Sequence, residues 1–542
     1  MPSLIYKDFG VTNAKNFSQM ISLPLANVYV MLSRTVPWPN VSNTNLLDDV
    51  TIEKPNDTTD YRYKVSRDGV IMKRLTDNDI HPVIPRVDWA NTTIYAAYDQ
   101  TLNVFTKNVA TQISGGNVNV SSSNTVFANG INLSSVSANL TVGGLIRIGE
   151  ETKEIHFITP NGSFLYVNTN FSSAYTSANL FKVSTSDVQY YNKFYVRNTY
   201  DQVFKCLDNN ANGQSTIMPE ITIGGQLPEN PFIETGDGYK WKYMYTITSG
   251  LKNKFFTNKF MPVVEESIVF DNTRNGRIDI VRILSGGTGY YAGGSVNNYA
   301  IGTITGDGTS ANVTVDVASG VINDVNIVNG GNNYTTATFT VDDPLQTTIG
   351  EEASFRVVVS PQYGHGSSVA RELGASYRMI SLDFEGDLEG NYPIVNTDED
   401  SIRQISIVKD PKYASNGVFA TQTHLPMYTL VYTSTPASGS DFSENSEVYV
   451  GNSYDNAIFK ARVVHFNNTD NILYLNNISG NVDAILSEQI TQKDFPSITS
   501  TIYSVAKPDI NIFSGEMFYV ENRAPIYRST EQTETVKLVI EF

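Results

Sequence analysis

The stretch SGEMFYVENRAPIYRSTEQTETVKLVIEF, from Ser514 to Phe542, gathers Glu516, Glu521, Arg523 and Glu531 within a short reach of chain. Paired carboxylates are the machinery of glycoside hydrolysis, one acting as acid and the other as base or nucleophile. In an extended segment, however, Glu516 and Glu521 have an odd separation and point to opposite faces. The competing reading makes the same side chains the polar trim of a strand–turn–strand that closes the fold and meets a partner.

Other stretches invite chemistry less strongly. LSGGTGYY (Leu284–Tyr291) is glycine-rich but lacks the Lys-Ser/Thr that completes a phosphate loop. His365, between glycines in YGHGSSVARELG, has no second histidine at ligand spacing and is not a nucleophile elbow. It reads as a turn or a polar loop contact. The five histidines are scattered singly, with no H-E-x-x-H or C-x-x-C, so no metal site is signalled and no cofactor is expected. Asp398-Glu399-Asp400 lacks the alternation and glycine of a calcium loop. The single cysteine, Cys206, cannot form an internal disulfide and reads as a packed thiol. These patterns predict a protein that is not an enzyme.

Charge narrows the partners. The formal net charge is −17 and no Lys/Arg cluster stands out, which argues against nucleic-acid binding. No apolar run is long enough to cross a bilayer, and the start shows no secretory leader, so no membrane insertion is expected.

Behind these residues lies a chain built for strands. Only 17% of residues are charged, while Gly, Tyr and Phe are plentiful. The predicted fold class is mainly β, a multi-domain β-sandwich-type framework with small inserted β domains. A short helix is expected near TNAKNFSQMI, and a buried strand in NVYVMLSRTVPWPN runs into a Pro-Trp-Pro turn. In GDGYKWKYMYTIT, Tyr239, Trp241, Tyr243 and Tyr245 share one face by period two. Composition divides the chain into framework (1–100), a Ser/Asn-rich insertion (101–190), framework (191–275), a Gly-rich repeat (276–360), framework (361–435), a small β insertion (436–505) and a closing framework segment (506–542).

The repeat is internal: IDIVRILSGGTGYY from Ile278 and INDVNIVNGGNNYT from Ile322 share the pattern I-x-x-V-x-I-x-x-G-G-x-x-Y. Two copies are too few for a solenoid, so a pair of β-units packed on each other is expected, separable from the framework. The chain ends in TVKLVIEF, where Val536, Leu538, Ile540 and Phe542 alternate with Lys537, Val539 and Glu541.

The framework stretches resemble a known family. VYVMLSRTVPW (Val28–Trp38), VIPRVDW (Val83–Trp89), FKCLD (Phe204–Asp208), GDGYKWKYMYTI (Gly236–Ile247), RQISIVKDP (Arg403–Pro411) and SGEMFYVENRAPI…EQTE (Ser514–Glu534) resemble, in this order, stretches of the baseplate wedge subunits encoded by gene 8 of T-even-type contractile-tailed phages; each is modest alone, and the shared order makes the resemblance specific. The resemblance excludes the three insertions. Locally the chain departs from it, with Ser33-Arg34 in place of glycine-arginine and Ala524-Pro525 in place of a double proline.

The resemblance implies a mainly β virion protein without catalysis. It implies a homodimer within each wedge that binds neighbouring wedge proteins of the tail baseplate, assembled in the host cytoplasm. On that basis the framework or interface residues are Arg34, Trp38, Arg86, Trp89, Trp241, Arg403, Glu516, Met517, Tyr519, Glu521, Asn522, Arg523 and Pro525. Arg523 and Arg528 would pair with nearby glutamates, Pro525 would fix a turn, and Met517, Phe518, Tyr519 and Ile526 would supply apolar anchors. Two alternatives stay open: a carbohydrate-binding or depolymerising tail protein, and an adaptor whose insertions dock tail fibres or the host surface.

Overall fold

Short strands joined by Gly- and Asn-bearing turns dominate the chain, and the fold is mainly β. The computed structural model describes residues 7–23, 27–38, 52–98, 110–113, 117–121, 124–131, 133, 140, 145–149, 151–159, 162–167, 170–171, 174–183, 194–210, 213–222, 232–270, 273–345, 351–385, 401–419, 425–527 and 533–542. Asp398-Glu399-Asp400, Arg528 and Glu531, and the side chains of Pro525 and Ile526, lie outside the described residues. The chain forms two compact units, one of residues 1–14, 82–377 and 541–542, the other of residues 15–81 and 378–540.

In the second unit a five-stranded sheet runs in the order Leu425–Pro426, Gly69–Arg74, Val28–Ser33, Ser401–Lys409, Glu516–Tyr527. Its middle is antiparallel, with Val30 opposite both Lys73 and Ile407, and Ile407 opposite Tyr519. The central strand is buried along its whole length, which suits its unbroken apolar run VYVML. The stretch YRYKVSRDGVIMKRL resolves into a helix, Thr59–Arg67, followed by the strand Gly69–Arg74. Thr58 caps the helix, its hydroxyl accepting from the Tyr61 N–H.

The same unit carries a closed six-stranded barrel. Its strands, in order around the wall, are Thr429–Thr433, Ile472–Gly480, Phe459–Asn467, Glu447–Val450, Gln489–Gln492 and Thr499–Ala506. Leu430 opposite Ala506 closes the wall. Inward-facing Val431, Phe459, Leu473 and Ile490 are fully buried, so the barrel has a core of its own.

The first unit is centred on an aromatic core. Gln202–Asn209 pairs with Tyr239–Thr246, with Cys206 opposite Trp241 and Val203 opposite Tyr245. Tyr239, Trp241, Tyr243 and Tyr245 are all buried, and the Tyr239 and Trp241 rings stack at 5.3 Å. Two of the three intervening residues are buried too, Met244 inside the core and Lys242 covered, while Lys240 is half-buried. Burial on both faces is more than period-two alternation foretells. Cys206 is a free, buried thiol, and burial raises its pKa well above the ordinary value.

Within 110–183 an eight-stranded sheet encloses a separate Val/Ile/Leu core. The Gly-rich repeat forms a further core that holds Ile278, Val281, Tyr290, Ile322, Val325 and Tyr334. Its copies contact each other reciprocally. Tyr290 N–H donates to the Gly320 carbonyl and Tyr334 N–H to the Gly276 carbonyl, both at 3.0 Å. A Cβ on Gly286 would collide with the Ile322 carbonyl oxygen, and one on Gly330 with the Ile278 carbonyl oxygen. Each copy's glycine therefore admits the first residue of the other copy.

The repeat also shares residues with the framework core. Ile280 on its first strand and Val358 on the strand paired with it belong to the aromatic core. Arg282 donates to the carbonyls of Tyr98 and Leu207. The strand Ile278–Ser285 thus faces two cores at once.

Candidate functional site

The closing stretch forms the outer strand of the five-stranded sheet, Glu516–Tyr527, and gathers most of the expected residues of that unit. Trp38 donates its indole N–H to the Arg523 carbonyl at 3.0 Å. Met517 is buried in a cluster with Tyr29, Met31, Met72 and Val408. Asn522 works hardest: its amide donates to the Glu53 carbonyl and the Tyr61 hydroxyl, and its oxygen accepts from Gln404. Arg403, buried, donates to the Thr35 carbonyl at 2.5 Å. Arg34 is buried on left-handed backbone (φ 57°), with its guanidinium 4.2 Å from the Trp38 ring. Such a conformation costs an arginine roughly 1–3 kcal/mol unless its surroundings enforce it.

Among the described residues Arg523 makes no ion pair, and Glu531 lies outside them; Glu521 accepts from the Tyr519 hydroxyl at 3.2 Å. Burial, with Glu521 alongside, raises the Tyr519 pKa. The simple alternation used to separate Glu516 and Glu521 is interrupted. Met517 and Tyr519 pair with the adjacent residues Val408 and Ile407, so the strand is irregular at Phe518. What separates the two carboxylates is distance along the sheet. Glu516 lies opposite Lys409 and Glu521 opposite Ile405, about 13 Å of strand apart. Glycosidase carboxyl groups stand roughly 5–9.5 Å apart.

In the other unit Arg86, Trp89 and Trp241 are framework. Arg86 pairs with Asp88 and lies 4.7 Å from the Phe256 ring. Arg197 also engages Asp88, at 2.8 Å, and these two partners overcome the effect of burial and hold its carboxyl below the ordinary range. Trp89 donates to the Ser215 hydroxyl and Trp241 is fully buried.

The densest constellation of titratable groups is one that the sequence reading did not assemble. Lys205, Asp279, His365 and Glu372 meet inside this unit, with Lys242 covered close by. Lys205 projects from Gln202–Asn209, Asp279 from Ile278–Ser285 and Glu372 from the short helix Val369–Glu372. His365 sits between Gly364 and Gly366, both on left-handed backbone, which turn the loop inward. Lys205 forms an ion pair with Glu372, and its Nζ lies 2.6 Å from His365 Nδ1. The other Glu372 oxygen accepts from the Gly366 N–H. The Lys205 ammonium also lies 4.4 Å from the Tyr98 ring.

Electrostatics assign the protons. Burial, reinforced by Lys205, lowers His365 to about 4, so the imidazole is neutral at neutral pH. Its Nδ1 accepts from Lys205, which leaves the proton on Nε2, 3.5 Å from Asp279 Oδ2. Burial pushes Asp279 up to about 6. Burial would raise Glu372 as well, but Lys205 and His365 outweigh it and hold the carboxyl at about 2. Lys205 is lowered by burial, with Glu372 opposing.

This arrangement has the residue types of acid–base chemistry without access to a reactant. Lys205 is 0% exposed and His365 3%, whereas a catalytic base must come within about 3 Å of the atom it serves. What the cluster does is tie two strands, a turn and a helix together through buried charges that meet one another, with Arg277 also pairing with Asp279 at 3.3 Å. Its sequence signal was present as lone charges in apolar strands: Lys205 in QVFKCL, Lys242 in YKWKYMY and Asp279 in IDIVRI. No protein-family model matches the chain, and no curated protein matches it either.

Proposed function

We propose that this chain is a structural subunit of a phage tail baseplate wedge, one that dimerises and binds neighbouring wedge proteins during tail assembly. One observation carries the reading. The stretches that resemble the wedge family converge in two frames, while the Ser/Asn- and Gly-rich stretches between them build cores of their own. Val28–Ser33, Ser401–Lys409 and Glu516–Tyr527 are neighbouring strands of one sheet. Ile84, Val87, Cys206 and Trp241 share the aromatic core of the other unit. The family-like stretches thus sit in two frames that carry the other stretches, an arrangement that suits an assembly protein adapted to its own neighbours.

The strand Glu516–Tyr527 also supports a partner-binding role. Among the described residues it pairs on one side only, with Ser401–Lys409, and leaves a long edge of backbone donors and acceptors. The carbohydrate-binding alternative has less in its favour. An open cleft of about 510 Å³ between Arg274, Arg277 and Asn329–Asn333 is rich in amides, but no aromatic ring lines it. Light scattering on the purified chain tests the dimer: the expected mass is twice the 59.8 kDa of one chain. A strict monomer across micromolar concentrations contradicts it.

A further inference from the structure

In a chain of net charge −17, four basic side chains line one open cleft of about 370 Å³. They are Arg34, Lys64, Arg67 and Arg462, with Asp68 the one carboxylate among the lining residues and Asn477 at the side. All belong to the unit of residues 15–81 and 378–540. Three different elements bring them together. Arg34 follows the central strand Val28–Ser33, Lys64 and Arg67 are one turn apart on the helix Thr59–Arg67, and Arg462 comes from the barrel strand Phe459–Asn467.

Local structure accounts for part of this charge and leaves the rest unexplained. Lys64 and Arg67 suit the C-terminal turn of their helix, where carbonyls face outward. That does not account for two further guanidiniums drawn to one carboxylate. Arg462 Nη1 lies 3.2 Å and Arg34 Nη1 3.9 Å from Asp68. Lys64 has Glu53 at 3.8 Å, an exposed pair that water screens. The Arg67 side chain makes no hydrogen bond or ion pair among the described residues. The buried Arg34 Nε has no hydrogen-bond partner. Arg34 is held in place by its 2.9 Å bond to the Pro37 carbonyl and by the Trp38 ring, on backbone that an arginine rarely adopts. Positive charge exceeds what Asp68 neutralises, in a concave site preorganised before any ligand arrives.

We propose that this cleft binds an oxyanion ligand carrying at least two negative charges. Planar guanidinium forks match the oxygens of phosphates and carboxylates, and Arg67 is the side chain free to close on one. The charges could come from a free phosphate-type anion or from adjacent acidic side chains of a partner protein; the chemistry recognised is the same.

The test is calorimetric titration of the full chain at low ionic strength, where charge recognition is least screened. Pyrophosphate is one probe and an acetylated tetraglutamate peptide the other. Wild type is compared with Arg67→Gln, with Lys64→Gln/Arg67→Gln and with Lys412→Gln, an exposed charge outside the cleft. At least one probe should bind saturably at one site, about tenfold or more weaker in Arg67→Gln and weaker again in the double variant. Lys412→Gln should bind as wild type does. Saturation by pyrophosphate alone identifies a free anion as the source, and saturation by the peptide alone identifies an acidic partner. The proposal is overturned if neither probe saturates, or if the cleft variants bind as tightly as wild type.

Discussion

Replacing Lys205 by methionine removes the one ammonium that touches both His365 and Glu372. Methionine follows the lysine stem closely, so packing changes little and the effect is electrostatic. Glu372 is left as a buried carboxylate, its side chain 4% exposed, without its ammonium partner, while the Gly366 N–H still donates to it. Breaking a buried pair from one side costs about 3–5 kcal/mol, a large part of the roughly 5–15 kcal/mol that holds a domain together. Hydrogen exchange read on peptides covering Gln202–Asn209 and Tyr239–Thr246 should therefore show protection lost by that amount. In Lys205→Met/Glu372→Leu no charge is orphaned, and most of the protection should return. A loss under about 1 kcal/mol in Lys205→Met, within the range of an ordinary surface substitution, would refute the view that these charges hold the core in register.

The same cluster predicts a pH response. His365 has a lowered folded pKa of about 4, so its contribution is lost as pH falls from 6.5, where the unfolded chain takes up the proton first. Asp279, raised to about 6, contributes fully below 3.8 and loses that contribution as pH rises through 6. The two slopes oppose each other between about 4 and 6, and Glu372, held at about 2, withdraws stability below 4.5. Urea midpoints should thus be nearly level from pH 6 to 4.5 in wild type but decline steadily from pH 6.5 in Asp279→Asn; equal profiles would contradict this. In the repeat, Gly286→Ala and Gly330→Ala should each cost about 1–3 kcal/mol, because each added methyl meets a carbonyl of the opposite copy. Thermal unfolding that leaves either variant like wild type would show that the copies are not mutually locked.

Local patterns were the most legible part of the fold. The aromatic alternation of YKWKYMYT located a core strand, and the 44-residue offset located paired units, because both are written in nearby residues. The reciprocal glycine contacts were not legible, since an offset says that two copies are alike and not which surfaces they present to each other. The stretch YRYKVSRDG carries no decisive period, and its helix is set by the Thr58 cap and ends at Asp68. Among the expected site residues, Trp38 and Arg523 were each legible, but their bond spans nearly the whole chain. The irregularity at Phe518 defeated a parity argument that presumes an unbroken strand. The Lys205 cluster was hidden for a related reason. Its members lie far apart in sequence, and each alone resembles a solvated charge in a strand or a polar turn.

Locating this chain in a map of the intact phage tail tip tests the central claim most directly. The account predicts density for it in every wedge of the baseplate, as paired copies, with neighbouring proteins seated against the family-like frames and along the side of Glu516–Tyr527 away from Ser401–Lys409. A tail tip whose wedges are fully accounted for by other chains, with this one absent or confined to fibre tips, would contradict it.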